Sequence, residues 1–216
     1  MTLLVADVIL FDLDGVLVDS SGCVAKAWFE WAARHGLDAE RTFALGHGRT
    51  TADHLRAAAP DLATPEEAAA VDALEERYVT EVVAQPGARE ATAELTRLGR
   101  RWGIVTSCDH PAATARLAVA GIPAPDVLVT AADVEQHKPA PDGYLLGCRR
   151  TGVEPAGALV FEDAPAGLAA ARAAGIRAVA LSTTHDPAEL TGSDAIVPDL
   201  AHVRFGPRGE VALRTG

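Results

Sequence analysis

The chain has 216 residues, 49% of them apolar and 23% charged, and carries a formal net charge of −11. That length suffices for one large or two small domains with a substantial core. The charge argues against nucleic acid or an anionic membrane surface as the main partner, and no apolar run is long enough to span a bilayer.

The opening Met1-Thr-Leu-Leu-Val-Ala-Asp7 lacks the basic stretch of a signal peptide. Val5 to Phe11 is a β-branched-rich apolar run stopped by Asp12-Leu13-Asp14-Gly15, a pattern that predicts a buried strand. Residues 23–35 are expected to be helical, with Gly36 as the stop. A second helix is predicted over 50–58, ending near Pro60. A third opens behind Thr64, a good N-cap, with Pro65 at the first helical position and Glu67 at the capping-box site, and runs to about Val83. Residues 18–84 thus read as an all-helical block inserted after the first strand, and Gln85-Pro86-Gly87 ends it.

From Gly87 onward helices and short apolar strands alternate. Helices are predicted over 88–99, 111–120, 141–150 and 165–174, and strands over 102–105, 127–129, 158–161 and 176–181. Ile196-Val197 reads as a last parallel strand, followed by a small hairpin from Val203–Phe205 and Val211–Leu213. Such alternation specifies a parallel sheet covered on both faces. The fold class is therefore α/β: a doubly wound parallel sheet with a Rossmann-like core, residues 1–17 and 85–216, and an inserted all-helical cap domain, residues 18–84.

In open parallel sheets, ligands bind beyond the carboxyl ends of the strands. The first predicted strand ends in Asp12 and Asp14, the second in Thr106-Ser107, and the fourth in Glu162-Asp163; His137-Lys138-Pro139 follows the third. An Asp-x-Asp-Gly turn alone reads as a strand terminator. Combined with an acidic pair at another strand end, it reads as a metal site. Asp12, Asp14 and Asp163, with Glu162 as a further candidate, offer the hard oxygen ligands that Mg²⁺ takes beside water and phosphate oxygens.

Phosphoryl transfer needs an in-line nucleophile, a countercharge and donors for the equatorial oxygens. Asp12 suits the nucleophile and would form an aspartyl-phosphate. Asp14 suits the acid that protonates the leaving alcohol and then the base that activates water. Thr106 supplies a hydroxyl and Ser107 a backbone N–H, although the pair also reads as an N-cap opening the next helix. Lys138 supplies a point charge. It is one of two lysines among 19 basic residues; the other, Lys26, reads as a solvated surface group.

The segments Phe11-Asp-Leu-Asp-Gly-Val-Leu-Val-Asp-Ser20, Ile104-Val-Thr-Ser107, His137-Lys-Pro139 and Val160-Phe-Glu-Asp-Ala-Pro-Ala-Gly167 resemble, in order, the motifs of the haloacid dehalogenase superfamily. The resemblance covers essentially the whole chain, and the helical insertion is similar to that family's C1 cap. It implies Asp12 as nucleophile and metal ligand, Asp14 as acid/base and ligand through its backbone carbonyl, and Asp163 as a further ligand. The second Asp of the first motif points to a phosphatase or phosphomutase. The β-phosphoglucomutases carry a His on the first cap helix where this chain has Val24, which lowers the mutase alternative. Trp102–Ser107, Ala115–Pro125 and Pro141–Gly147 resemble the sugar-phosphatase branch, which includes 2-deoxyglucose-6-phosphate and glycerol-phosphate phosphatases. Two positions depart from the pattern: His137 and Cys108 stand where the family usually has Gly.

The expected activity is Mg²⁺-dependent hydrolysis of small sugar- or polyol-phosphate monoesters. Hexose phosphomutase is the alternative, and a non-catalytic phosphometabolite-binding protein a more distant one. The loop Leu45-Gly-His-Gly-Arg-Thr50 reads either as a plain interhelical turn or as a substrate loop; the branch resemblance favours His47, Gly48 and Arg49 as substrate-binding. Asp19-Ser20 reads as the cap hinge, Trp28 and Trp31 as cap core, and His35, His54, His110 and His202 as surface groups. Three widely spaced cysteines read as reduced thiols of a cytoplasmic protein. The expected partner is a small phosphorylated metabolite, with no nucleic acid or membrane, and the protein a monomer or homodimer.

Overall fold

The apolar N-terminal run divides at Ala6-Asp7 into two strands, β1 (Thr2–Val5) and β2 (Val8–Phe11), which lie in different sheets of the computed structural model; it describes residues 2–46 and 49–214. The Asp7 N–H donates to Gly157 O at 2.7 Å, and β2, buried at every residue, enters the middle of a parallel sheet. Short β3 (Val18–Asp19) pairs antiparallel with β4 (Val83–Ala84). Between them run α1 (Ser21–Arg34), α2 (Ala39–Ala44), α3 (Thr51–Ala58) and α4 (Pro65–Tyr78). There follow α5 (Ala88–Arg97), β5 (Arg101–Val105), α6 (His110–Ala120), β6 (Val127–Val129), α7 (Asp142–Thr151), β7 (Ala158–Glu162), α8 (Pro165–Ala173), β8 (Arg177–Leu181) and β9 (Ala195–Val197). The 6-stranded sheet has the order β6-β5-β2-β7-β8-β9, all parallel. The expected hairpin of β10 (Val203–Phe205) and β11 (Glu210–Leu213) gains β1 as a third strand, antiparallel to β11.

Side chains alternate across the sheet, so each central strand feeds two cores. Ile9, Phe11, Leu159, Phe161, Val179 and Leu181 pack on the face covered by α5, α6 and the antiparallel sheet. Val8, Leu10, Ala158, Val160, Ala178 and Ala180 pack on the face covered by α7 and α8. Burial on both faces explains why these strands read as unbroken apolar runs rather than as alternating ones. No helix among the described residues is long and apolar enough to cross a membrane.

The helical insertion has its own core, in which Trp28, Trp31, Leu55, Val71 and Leu74 are buried together, so both tryptophans are packing residues as expected. Thr64 caps α4 by accepting from the Glu67 N–H. That helix ends at Tyr78 rather than Val83, because the chain tightens into a 3-10 turn, Val79–Glu81, before β4. Helix α2 lacked a periodic signal; its six residues are set by Asp38, which accepts from the Arg41 N–H at 3.0 Å.

The surface assignment of His54 is wrong. Its ring stacks on Trp28 at 3.5 Å between centroids and bonds Thr42 O at 2.7 Å, so the imidazole is buried packing with its polar edge satisfied. His35 is likewise partnered, with Glu67 at 3.0 Å, and His202 with Asp199 at 2.8 Å. Lys26 does sit on the surface, paired with Glu81.

Candidate active site

Four strand ends converge at the middle of the parallel sheet, where the chain order reverses between β5 and β7 on either side of β2. Asp12 follows β2 directly, and its N–H continues the ladder to Phe161 O at 2.9 Å. Its carboxylate lies beside those of Glu162 and Asp163, with ligand oxygens of all three within 4.8 Å of one another. Gly15 permits this approach. Its φ is +79°, and a Cβ there would stand 2.0 Å from Asp163 Oδ2, so a side chain at the end of the Asp-x-Asp-Gly turn would displace a carboxylate.

The Lys138 side chain is only 8% exposed, and its three ammonium protons are all directed. Nζ donates to Asp12 Oδ1 at 2.8 Å, Glu162 Oε1 at 2.6 Å and Val105 O at 3.1 Å. Burial works against the charged amine, but the adjoining carboxylates of Asp12 and Glu162 outweigh it and hold Lys138 above the usual lysine range. One cation does not balance three clustered carboxylates. Burial pushes the Asp12 carboxyl up to about 7, against the pull of Lys138 and with a further push from Glu162. Burial together with Glu162 and Asp12 holds Asp163 well above the carboxylate range. A buried oxygen cluster short of positive charge is the donor set a hard divalent cation fits.

Glu162 is held differently from its neighbours. Oε1 accepts from Lys138 and from Tyr144 OH at 2.7 Å, and Oε2 from the backbone N–H groups of Asp163 and Ala164 at 3.1 and 3.2 Å. Both oxygens are engaged, and Oε1 anchors Lys138. Asp163 Oδ2 accepts from Thr184 Oγ1, in the loop after β8.

The Asp14 side chain is not in the acidic cluster. Oδ1 accepts from Ser20 Oγ at 2.5 Å and Arg116 Nη1 at 2.6 Å, and Oδ2 accepts from Cys108 Sγ at 3.0 Å. Burial alone would raise its pKa, but the Arg116 charge and the bonds from Cys108 and Ser20 more than offset it and hold the carboxyl below the usual range. Cys108 is thus a donor to Asp14, and burial holds its thiol well above the ordinary cysteine range.

Thr106 and Ser107 follow β5 and line, with Lys138, His137 and Tyr144, one small pocket beside the cluster. They are not the cap of the next helix. Asp109 caps α6, accepting from the Ala112 N–H at 2.8 Å, and Thr106 Oγ1 instead accepts from the Cys108 N–H at 3.1 Å. His137 does not reach into the cluster; it bridges to the insertion, with Nδ1 3.2 Å from Asp53 Oδ2 on α3 and Nε2 3.3 Å from Ala131 O. His47 and Gly48 lie outside the described residues. Arg49 is exposed, and among the described residues no hydrogen bond ties its side chain to the cluster.

Sequence reasoning overlooked Arg116, Tyr144, Cys108 as a partner of Asp14, and Thr184. A legible signal existed for Arg116: it is the one charged residue in the otherwise small and apolar stretch Ala112–Ala120, and it is buried. Tyr144 and Thr184 had no such signal.

A model of the family described as "Hydrolase: haloacid dehalogenase-like hydrolase" matches residues 6–175. Hexitol phosphatase A of Escherichia coli (strain K12) is 40% identical over 210 residues, spanning 95% of this chain and 97% of that protein. Glycerol-1-phosphate phosphohydrolase 1 of Saccharomyces cerevisiae is 34% identical over 209 residues, spanning 91% of this chain and 84% of that protein. Among solved structures, a hydrolase from Pseudomonas syringae superposes with a TM-score of 0.79 at 28% identity, covering 89% of this chain and 94% of that one. The site at the strand ends and these likenesses agree, and the chain belongs to the haloacid dehalogenase-like hydrolases.

Proposed function

We propose that this protein hydrolyses small sugar- or polyol-phosphate monoesters through an aspartyl-phosphate on Asp12. The observation that carries the reading is the Asp12 carboxylate at the end of β2, held by Lys138 at 2.8 Å inside a buried acidic cluster. The likeness to hexitol and glycerol-1-phosphate phosphatases supports the substrate class.

In the first step an Asp12 oxygen bonds to phosphorus as the ester P–O bond breaks; the leaving oxygen keeps that electron pair and takes a proton from Asp14. Asp14 must turn from Arg116 and take up that proton when the ester binds, since the contact with Arg116 favours its ionised form in the free site. In the second, water bonds to phosphorus and gives a proton to Asp14 while the Asp12–phosphorus bond breaks, releasing inorganic phosphate. Thr106 and Ser107 bind phosphoryl oxygens, and Lys138 keeps positive charge against the nucleophile. Asp12, Asp163 and the Asp14 carbonyl are the residues we assign to hold Mg²⁺, which when bound neutralises the buried carboxylates and draws charge from the phosphoryl oxygens. Residues 18–84 act as a cap over the core of 1–17 and 85–216, with Arg49, His47 and Gly48 in its substrate loop. The free thiols support a cytoplasmic setting.

Val24 favours hydrolysis over phosphomutation: it packs against the apolar core of the cap, where the mutases carry a His. A panel of hexose, polyol and glycerol phosphates, assayed for free phosphate and for isomerised ester with and without Mg²⁺, tests the reading. Phosphate release that needs Mg²⁺ supports it; isomerisation without phosphate release overturns it.

A further inference from the structure

Two adjacent hydroxyls in the loop after β8 hold opposite walls of the acidic cluster. Thr183 Oγ1 donates to Gly15 O at 2.6 Å, and Thr184 Oγ1 donates to Asp163 Oδ2. The Thr184 methyl also lies against the turn after β2, since a Cβ on Gly15 would stand 3.0 Å from Thr184 Cγ2. Gly15 is held from its other end too, its N–H donating to Val18 O at 2.8 Å. That bond orients the planar Asp14–Gly15 peptide and hence the Asp14 carbonyl. Among the described residues, the last backbone bond between this turn and the end of β7 runs from the Asp12 N–H to Phe161 O. Beyond it, Gly15 and Asp163 are rejoined through the β8 loop.

We infer that Thr183 and Thr184 are positioning residues: together they space the Asp14 carbonyl from the Asp163 carboxylate and so make the site prefer Mg²⁺ to the larger Ca²⁺. Successive Cα atoms are about 3.8 Å apart across a trans peptide, and both threonines are stiff at χ1. The two oxygens they hold therefore move together rather than apart. Mg²⁺ demands short bonds in near-ideal geometry, whereas Ca²⁺ accepts longer ones in variable number. Walls free to spread would serve Ca²⁺ as well; walls held at one spacing favour the smaller ion. Cation binding needs Asp163 ionised. Its carboxylate then takes the Thr184 proton, and His185 Nδ1, 2.9 Å from the same hydroxyl oxygen, is the donor in that second contact. Thr184 is exposed, so water can replace its proton on Asp163 but not its covalent link to Thr183 and, through it, to the Gly15 turn.

The inference rests on the assignment of Mg²⁺ to Asp12, Asp163 and the Asp14 carbonyl, and its test keeps the two apart. Chelator-treated protein is titrated with MgCl₂ and with CaCl₂, and the rise in melting temperature gives an apparent Kd for each cation without any turnover. Asp163→Asn is expected to abolish the Mg²⁺-dependent rise. Thr183→Val and Thr184→Val keep the shape of the side chain and lose the hydroxyl. Each is expected to raise the Mg²⁺ Kd by about tenfold and to leave the Ca²⁺ Kd within about threefold of the wild-type value. The preference for Mg²⁺ should therefore fall, and Thr184→Ser, which keeps the hydroxyl, should retain it. A hydroxyl that merely steadied the loop would lower the metal-free melting temperature and leave the preference unchanged. If Asp163→Asn abolishes the rise while both valine variants keep the wild-type preference, or lose affinity for both cations alike, the inference is overturned and the cation assignment stands. If Asp163→Asn responds to Mg²⁺ as the wild type does, that assignment falls first and the inference with it. Should either valine variant fail to fold, Thr183→Ala and Thr184→Ala decide the question.

Discussion

Chemistry at the residue scale turns on how one ammonium is shared. Lys138 binds the carboxylates of Asp12 and Glu162 at 2.8 and 2.6 Å, and its Nζ lies over the Tyr144 ring, 5.2 Å from the centroid. Replacing it with Met leaves two buried acids without their cation, which is expected to cost about 3–5 kcal/mol of stability. Denaturant unfolding measures this, and the double variant Lys138→Met/Glu162→Gln should recover part of the loss. Asp12→Asn removes the nucleophile while keeping shape. Phosphate release should drop by at least about 1,000-fold, and a phosphate ester should still bind, as titration calorimetry would report. Equal turnover by wild type and this variant would end the aspartyl-phosphate mechanism. At this scale Asp12, Asp163 and Lys138 were legible because strand ends in a parallel sheet must face one edge. Arg116 and Tyr144 come from helices, and nothing in the local pattern says which strand end a helical side chain reaches.

The turn after β2 and the loop after β6 do the placing at the scale of elements. Gly15→Ala would set a Cβ against Asp163 Oδ2 at a backbone angle that L residues rarely adopt. Apparent Mg²⁺ affinity, read from activity against metal concentration, is expected to fall about tenfold or more. Gly167 plays a matching part on α8, since a Cβ there would stand 1.7 Å from Glu162 Oε1. His137, beside the site lysine, reaches Asp53 of the cap. His137→Gly removes that link between cap and core, so KM for a polyol phosphate should rise several-fold, with a smaller change in kcat, in steady-state kinetics. Apart from α2, the helices and parallel strands were readable within a few residues. The break of the first apolar run was not: Ala6-Asp7 is ordinary locally, and β1 leaves the parallel sheet only because β11, more than 200 residues on, offers it an antiparallel partner.

Across the whole molecule the net charge is −11, and the acidic groups that cost most are the three carboxylates buried together around one ammonium. The Asp12 carboxyl rises from its ordinary 3.8 to about 7 on folding, mainly through burial. The metal-free folded state therefore holds a proton that the unfolded chain has already lost, and stability from this group declines as pH rises from about 4 to about 7. Asp14 and Asp133 shift the other way, Asp133 to about 2 through its bond from Arg150, so their contribution is lost only on acidification below about pH 4. Calorimetric melting should show the metal-free protein losing Tm between about pH 4 and about pH 7. Added Mg²⁺ should raise Tm more at the higher pH, where the cluster carries more charge. An equal increment at both would disconnect the cation from these carboxylates.

The sequence by itself determined the layered α/β architecture, the helical insertion and the identity of the strand-end residues. Those follow from short-range rules: periodicity, caps, and the obligation of buried parallel strands to be continuously apolar. Tertiary structure alone decided how the charges are divided. It bonded Glu162 to Lys138, turned Asp14 to Arg116 and Cys108, sent His137 to the cap, and buried His54 on Trp28. Each of these joins groups far apart along the chain, and a buried charge takes whichever partner the packing brings within hydrogen-bonding distance.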